Sequence, residues 1–84
     1  MTLLNNRTIL KPGMLAKTAT TDKWQSCKYW HRDKMEWEVI LPHSPILVIF
    51  INEQRIDFLH GESIFSIHNC YNDEQGKPYW CDPL

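Results

Sequence analysis

The sequence predicts an all-β fold, a small barrel of five to six short antiparallel strands followed by an irregular C-terminal tail. The chain of 84 residues is 43% hydrophobic, which is the size and composition of one folded domain. Its apolar residues occur in short runs separated by turn residues, without the period of a long helix. A closed or partly closed sheet is expected because closure removes the exposed strand edges of so small a domain.

The stretch 41–69 contains the most clearly marked strands. Ile46–Ile51 is an unbroken apolar run, too short to span a membrane and rich in β-branched residues, so it predicts a central strand buried on both faces. Arg55–Leu59 alternates polar and apolar residues and predicts a half-buried strand. Gly61 marks the next turn, and Ser63–His68 predicts a third strand. The three strands form a meander around which the rest of the chain is expected to pack.

The alternation of side chains within this meander predicts its core. Val48 and Phe50 are expected to point to the same face, before a turn at 52–54. There they would pack on Ile56 and Phe58 of the next strand. On that arrangement Phe50→Ala would cost about 3–5 kcal/mol, as truncation of a buried phenylalanine does.

The segments outside the meander provide a turn, a first strand and a docked tail. Lys11–Gly13 predicts a tight turn because proline fixes φ and glycine permits positive φ, and a strand follows over Met14–Ala19. Tyr79–Trp80 is expected to dock onto the body, since water exposure of this pair would be costly. The single domain thus divides into a lead-in over 1–10, a barrel over 11–69 and a docked tail over 70–84.

A hairpin is predicted where two aromatic-rich segments flank a polar loop, Cys27–His31 and Met35–Ile40. A three-residue loop at 32–34 would set Lys28 opposite Glu38, which matches the charges across the strands. A two-residue loop would set Lys28 opposite Val39 and lose that match. The charge-matched register is preferred. In this register one face of the second strand points to the core, and its residues are Met35, Trp37, Val39 and Leu41.

The layout resembles an SH3-like small β-barrel of the phage accessory-protein type. Lys11–Leu15 is similar to the Lys-Pro-Gly opening that often precedes the first strand of such barrels. The polar stretch after it would match the long first loop, and 46–68 resembles the closing strands with their short helical turn. The sequence lacks the acidic cluster and the Ala-Leu-Tyr-Asp-Tyr run of peptide-binding SH3 domains. The resemblance implies an SH3-like barrel over 11–68 and a phage source.

The spacing of cysteine and histidine residues raises the hypothesis of a metal site. Two of each could hold zinc if their strands met: Cys27, His31, His68 and Cys70. Their spacings match no standard zinc pattern, so no metal and no cofactor are predicted. The odd number of cysteines favours reduced thiols in a cytosolic chain, and Cys81 is expected to be free like the other two.

The sequence also predicts that the protein is not an enzyme. It contains no glycine-rich phosphate loop, Gly-x-Ser-x-Gly or His-Glu-x-x-His motif. Asp57 and Glu62 could form a carboxylate pair, but solvated acids at strand ends are the favoured interpretation. A barrel of this size has little room for a substrate pocket of about several hundred Å³.

Charge is distributed unevenly along the chain. Residues 1–34 hold seven Lys and Arg and two acids, or +5, whereas residues 35–84 hold two bases and eight acids, or −6, for the total of −1. Cross-strand pairing in an antiparallel sheet is expected to bring the two halves together. The first seven residues lack the apolar run of a secretory signal, so a cytoplasmic protein without a membrane segment is expected.

The basic and aromatic stretch 23–34 is the candidate binding surface. Five of its residues are expected to contact a partner: Lys23, Trp24, Lys28, Trp30 and Arg32. The last three should project outward from the hairpin. Exposed tryptophan beside arginine and lysine is the composition of an interface hot spot. The alternative is that all four tryptophans, Trp37 and Trp80 included, fill the core.

The predicted function is that of a non-enzymatic binding module that occupies a partner protein, in concrete form a phage-encoded modulator of a host protein in the host cytoplasm. The alternative is single-stranded nucleic-acid binding by 23–34, where cations would follow phosphates and rings would stack on bases. The pI of about 6.4, and Glu36 and Glu38 on the partner strand, argue against it. A virion or structural subunit is a third possibility. No membrane partner and no small-molecule substrate are expected.

Overall fold

The computed structural model describes residues 6–19 and 28–84. These residues form no helix; they form seven strands, all paired antiparallel in one sheet. The strands are β1 (Leu15–Thr18), β2 (Lys28–His31), β3 (Glu36–Val39), β4 (Pro45–Ile51), β5 (Arg55–His60), β6 (Ser63–His68) and β7 (Cys81–Pro83). The all-β prediction is confirmed, while the described part of the chain has seven strands in place of the expected five to six.

The predicted meander forms the middle of the sheet. The strand order is β3-β2-β6-β5-β4-β1-β7, so β5 is the central strand and the long apolar strand β4 lies beside it. Ile56 and Phe58 on β5 are both 0% exposed. Among the described residues, β3 and β7 form the two edges of the sheet.

The sheet curls strongly: aromatic rings from strands that are far apart in the strand order meet in the core. Tyr29 on β2 and Trp80, which immediately precedes β7, have ring centroids 5.9 Å apart. Five steps separate β2 from β7, and in a flat sheet with strands about 4.8 Å apart they would lie about 24 Å apart. Phe58 contacts both rings, with centroid distances of 5.5 Å to Tyr29 and 5.1 Å to Trp80.

One face of the curled sheet encloses the core. Its buried apolar side chains are Leu10, Ala16, Tyr29, Ile40, Ile46, Val48, Ile56, Phe58, Phe65, Ile67, Trp80 and Cys81. The opposite face of the sheet is named the outer face. Because the core draws on six of the seven strands and on residues between them, no hairpin of the described chain could bury it alone.

The predicted position of Phe50 is wrong because β4 contains a bulge. Val48 pairs with Phe58, but Phe50 pairs with Asp57, so one extra residue lies between them on β4. A bulge of one residue reverses the face taken by the side chain that follows it. Phe50 is therefore on the outer face, 41% exposed, with the guanidinium carbon of Arg55 4.9 Å from its ring centroid.

The predicted hairpin register is also wrong, by one residue. Lys28 lies opposite Val39 and Trp30 opposite Trp37, as the two-residue loop would have placed them. The turn closes with the Met35 amide donating to the His31 carbonyl at 2.8 Å, and Met35 has φ 54°. Methionine rarely adopts this left-handed conformation, so the sequence offers little sign of it. A slip of one residue reverses both faces of β3.

The C-terminal tail is more regular than predicted. It contains β7, which pairs with β1, and an isolated bridge between Asn72 and Pro78. Trp80 is 1% exposed, and the Ala19 amide donates to its carbonyl at 2.9 Å. The described residues contain no helix long and apolar enough to cross a membrane.

Candidate functional site

A groove of about 640 Å³ lies on the outer face of the sheet, over β2, β6 and β5. Three cationic residues line it, Lys28, Arg32 and Arg55. Three aromatic residues line it as well, Trp30, Trp37 and Tyr71, and Ser66, Ile67 and His68 complete the lining. None of the described lining residues is an acid. We name this site the basic–aromatic groove.

Two tryptophans form one wall of the groove. Trp30 and Trp37 are direct cross-strand partners, and their ring centroids lie 5.3 Å apart at an interplanar angle of 73°. An edge-to-face pair of this kind stabilises by about 0.5–1.5 kcal/mol in addition to the free energy gained from the area that it buries. Trp30 is half-buried, whereas Trp37 remains 56% exposed. The pair therefore offers a rigid ring surface to solvent.

The floor of the groove holds Arg55 in a defined orientation. Its Nε atom lies 3.2 and 3.3 Å from the two carboxylate oxygens of Asp57. Asp57 is only 8% exposed and also accepts a hydrogen bond from the Ser66 hydroxyl at 2.5 Å. Ser66 Oγ in turn lies 3.4 Å from Nη1 of Arg32. A continuous polar contact thus connects Arg32 to Arg55 through Ser66 and Asp57.

Asp57 is therefore not the solvated strand-end acid that the sequence favoured. It lies within β5 opposite Ser66, buried under the groove. Glu62, its candidate partner in a carboxylate pair, is exposed in the turn between β5 and β6. Through these contacts Asp57 orients two groove residues, Arg55 and Ser66.

The acidic residues of β3 lie on the other face from the groove. Glu36 and Glu38 pair across the strands with His31 and Tyr29, which point into the core side of β2. Glu38 accepts a hydrogen bond from Lys34 Nζ at 3.0 Å, and this bond raises the pKa of Lys34. The predicted match of Lys28 with Glu38 does not form. The one-residue change of register leaves the groove without these two carboxylates.

An exposed apolar strip continues from the groove along the edge strand. Four residues predicted to be core are exposed instead: Met35 at 72%, Trp37 at 56%, Val39 at 60% and Leu41 at 71%. We name them the β3 apolar strip. Trp37 belongs both to the strip and to the groove, so the two surfaces are continuous. Exposed apolar side chains along a sheet edge are a candidate binding surface for another molecule.

The predicted binding residues fall into two groups. Lys28, Trp30 and Arg32 line the groove together on the outer face. Lys23 and Trp24 lie outside the described residues. Sequence reasoning missed Trp37, which the alternative hairpin register would have placed beside Trp30. It also missed Arg55, His68 and Tyr71, because only strand pairing brings 55 and 68 opposite each other.

The candidate zinc ligands that the structure describes, His31, His68 and Cys70, do not come together. His31 is 4% exposed on the core side, where its Nδ1 accepts from the Lys34 amide at 3.1 Å. His68 is exposed on the outer face, and Cys27 lies outside the described residues. No three histidine, cysteine or acidic side chains converge within residues 6–19 and 28–84. Cys70 is a free thiol, and its partial burial raises its pKa.

Comparison with known proteins gave no relatives for this chain. No family model matches it, and no match was found among curated proteins or solved structures. The interpretation of function therefore depends on the basic–aromatic groove and the β3 apolar strip. Together they can hold an anionic group against fixed cations and an apolar group against exposed rings.

Proposed function

We propose that this protein is a non-enzymatic binding module that acts by occupying a partner protein, which it contacts through the basic–aromatic groove and the β3 apolar strip. The observation that supports this most directly is the position of Trp37. It is 56% exposed, it packs edge-to-face on Trp30, and it lies where a basic groove meets an apolar strip. Tryptophan and arginine are among the residues most enriched in interface hot spots.

The polar groups of the groove support binding over catalysis. The Ser66 hydroxyl donates to the Asp57 carboxylate, and its oxygen lies 3.4 Å from Nη1 of Arg32. Asp57 is occupied by Arg55 and Ser66. Each of these groups serves to orient the groove.

The fold class that we propose is an SH3-like small barrel of the phage accessory-protein type, working in the host cytoplasm as a modulator of a host protein. The turn before β1, the central meander and the strong curl of the sheet support the barrel. In the turn, Gly13 has φ 95° and its amide donates to the Val48 carbonyl at 2.7 Å. The partner's identity follows from an experiment rather than from the fold.

Three variants test the proposal in one capture experiment with host lysate and quantitative mass spectrometry. Trp30→Ala and Trp37→Ala should each weaken retention of the partner by roughly 2 kcal/mol, as truncation of a hot-spot tryptophan does. Leu15→Ala is the matched control, since Leu15 is 57% exposed and lies on β1, away from the groove. A protein retained by wild type and by Leu15→Ala, and lost with both tryptophan variants, is the expected result.

Stability is measured on the same variants. Trp37→Ala removes an exposed ring and should change the free energy of unfolding by about 1 kcal/mol or less, whereas Trp30→Ala removes a half-buried ring and should cost about 1–3 kcal/mol. If both variants fold and retain every partner at wild-type strength, the groove and strip are not the interface. If Trp30→Ala unfolds the domain, Trp30 is a core residue and the proposed face does not exist.

Single-stranded nucleic-acid binding is the second candidate, and one observation favours it. The carboxylates of Glu36 and Glu38 lie across the sheet from the groove, where they do not flank its cations. Salt separates the two functions. Affinity for a (dT)12 oligonucleotide would fall steeply as salt rises, whereas an interface dominated by the tryptophan pair and the strip would change little.

A further inference from the structure

We infer that the basic–aromatic groove takes an acidic segment of the partner protein, in which aspartate or glutamate lies close in sequence to aliphatic or aromatic residues. This inference rests on the proposed function and specifies the chemistry of the segment. The carboxylates would lie in the groove, and the apolar residues would cover the β3 apolar strip.

The charges of the groove select an anion. Among the described residues, Lys28, Arg32 and Arg55 contribute three positive charges, and the Asp57 carboxylate beneath them offsets one, which leaves two. Arg55 is fixed from below by Asp57 and from the side by the Phe50 ring, while its side chain remains 42% exposed. A guanidinium held in this way presents its free N–H groups in a planar fork that suits a carboxylate.

The surroundings of the groove select a protein segment over a nucleic acid. The β3 apolar strip shares Trp37 with the groove, and its other three residues, Met35, Val39 and Leu41, are exposed as well. The phosphate backbone of a nucleic-acid strand would leave that strip in water, whereas aliphatic or aromatic side chains of a protein segment would bury it. A groove of about 640 Å³ with a net charge of two also suits a few side chains better than the long cation track of a strand-binding protein.

A display selection tests this chemistry without knowledge of the partner. The full chain is immobilised and a library of random dodecapeptides is selected against it, with parallel selections on Arg32→Glu, Trp37→Ala and Lys77→Glu. Lys77→Glu is the charge-matched control, since Lys77 is exposed in the tail and does not line the groove. Lys28→Glu is a second groove variant and serves if Arg32→Glu does not fold.

The expected result has two parts. Peptides enriched on wild type should combine aspartate or glutamate with aliphatic or aromatic residues. A synthetic copy of the best peptide should bind wild type and Lys77→Glu equally within twofold, and Arg32→Glu and Trp37→Ala at least tenfold more weakly. A copy in which asparagine and glutamine replace the acids should lose at least tenfold as well.

Other outcomes overturn the inference in distinguishable ways. If the enriched peptides are neutral or basic but still require Trp37, the acidic chemistry is wrong and the proposed protein-binding function stands. If a (dT)12 oligonucleotide binds the groove more tightly than the best peptide, nucleic acid is the ligand. If no peptide is enriched on wild type over Trp37→Ala, both the inference and the proposed function fail.

Discussion

The bulge in β4 makes two phenylalanines on neighbouring strands energetically unequal. Phe58 is 0% exposed and contacts three rings, with centroids at 5.1 Å for Trp80, 5.5 Å for Tyr29 and 5.8 Å for Phe65. Phe50 is 41% exposed and contacts the guanidinium of Arg55. We therefore expect Phe58→Ala to destabilise the protein much more than Phe50→Ala.

The magnitudes follow from burial. Phe58→Ala removes a fully enclosed ring and leaves a cavity, at a cost of about 3–5 kcal/mol. Full burial of a phenylalanine contributes about 1.5–3 kcal/mol to stability. Phe50 is only partly buried, so Phe50→Ala should cost about 1–2 kcal/mol, including the loss of the contact with Arg55. A difference of about 2 kcal/mol corresponds to melting temperatures at least about 8 °C apart in a domain of this size.

Urea unfolding followed by tryptophan fluorescence measures both variants, because Trp80 passes from a site with 1% exposure into water. Phe58→Leu keeps most of the ring's volume and provides a milder variant if Phe58→Ala does not fold. Equal losses for Phe50→Ala and Phe58→Ala would place Phe50 in the core. That result would refute the bulge and restore regular alternation along β4.

Three further predictions test the packing around the core. Thr18→Val should cost about 1–3 kcal/mol and Thr18→Ser much less, measured by chemical denaturation, because the buried hydroxyl donates to the Leu41 carbonyl at 2.7 Å. Gly76→Ala should lower the melting temperature more than Gly13→Ala, although both glycines have positive φ. A Cβ atom added at Gly76 would lie 3.2 Å from a backbone oxygen, whereas one added at Gly13 would have no atom within 4 Å. Equal losses would contradict this. Burial raises the pKa of the Cys81 thiol, so it should resist a thiol reagent in the native protein and react after denaturation. Above the ordinary thiol pKa of 9.0, Cys81 loses its proton in the unfolded protein but keeps it in the folded protein. The free energy of unfolding should therefore fall as pH rises beyond that value, and this fall should be smaller in Cys81→Ala. Rapid modification of native Cys81 would contradict its burial.

Part of the candidate site could be predicted from the sequence, because it depends on one strand. Lys28 and Trp30 alternate with the buried Tyr29, so their outer position follows from the two-residue period of β2. Arg32 continues the same side. Trp37 could not be placed with them, since its face depends on the conformation of a single turn residue, Met35, whose φ is 54°. Side-chain charge matching favoured the wrong register because Glu38 interacts with Lys34 of its own turn instead of Lys28.

The amino-acid sequence alone determined the elements that depend on neighbouring residues. The apolar run at 46–51, the turn at Gly13 and the meander through His68 follow from local propensity and period, and the structure contains all three. Tertiary structure decided everything that depends on strand pairing. The hairpin register, the bulge that exposes Phe50 and the meeting of 55 with 68 each depend on which residues lie opposite each other. A shift of one residue reverses every following side chain at little local cost, so only the packing of the whole core selects the faces.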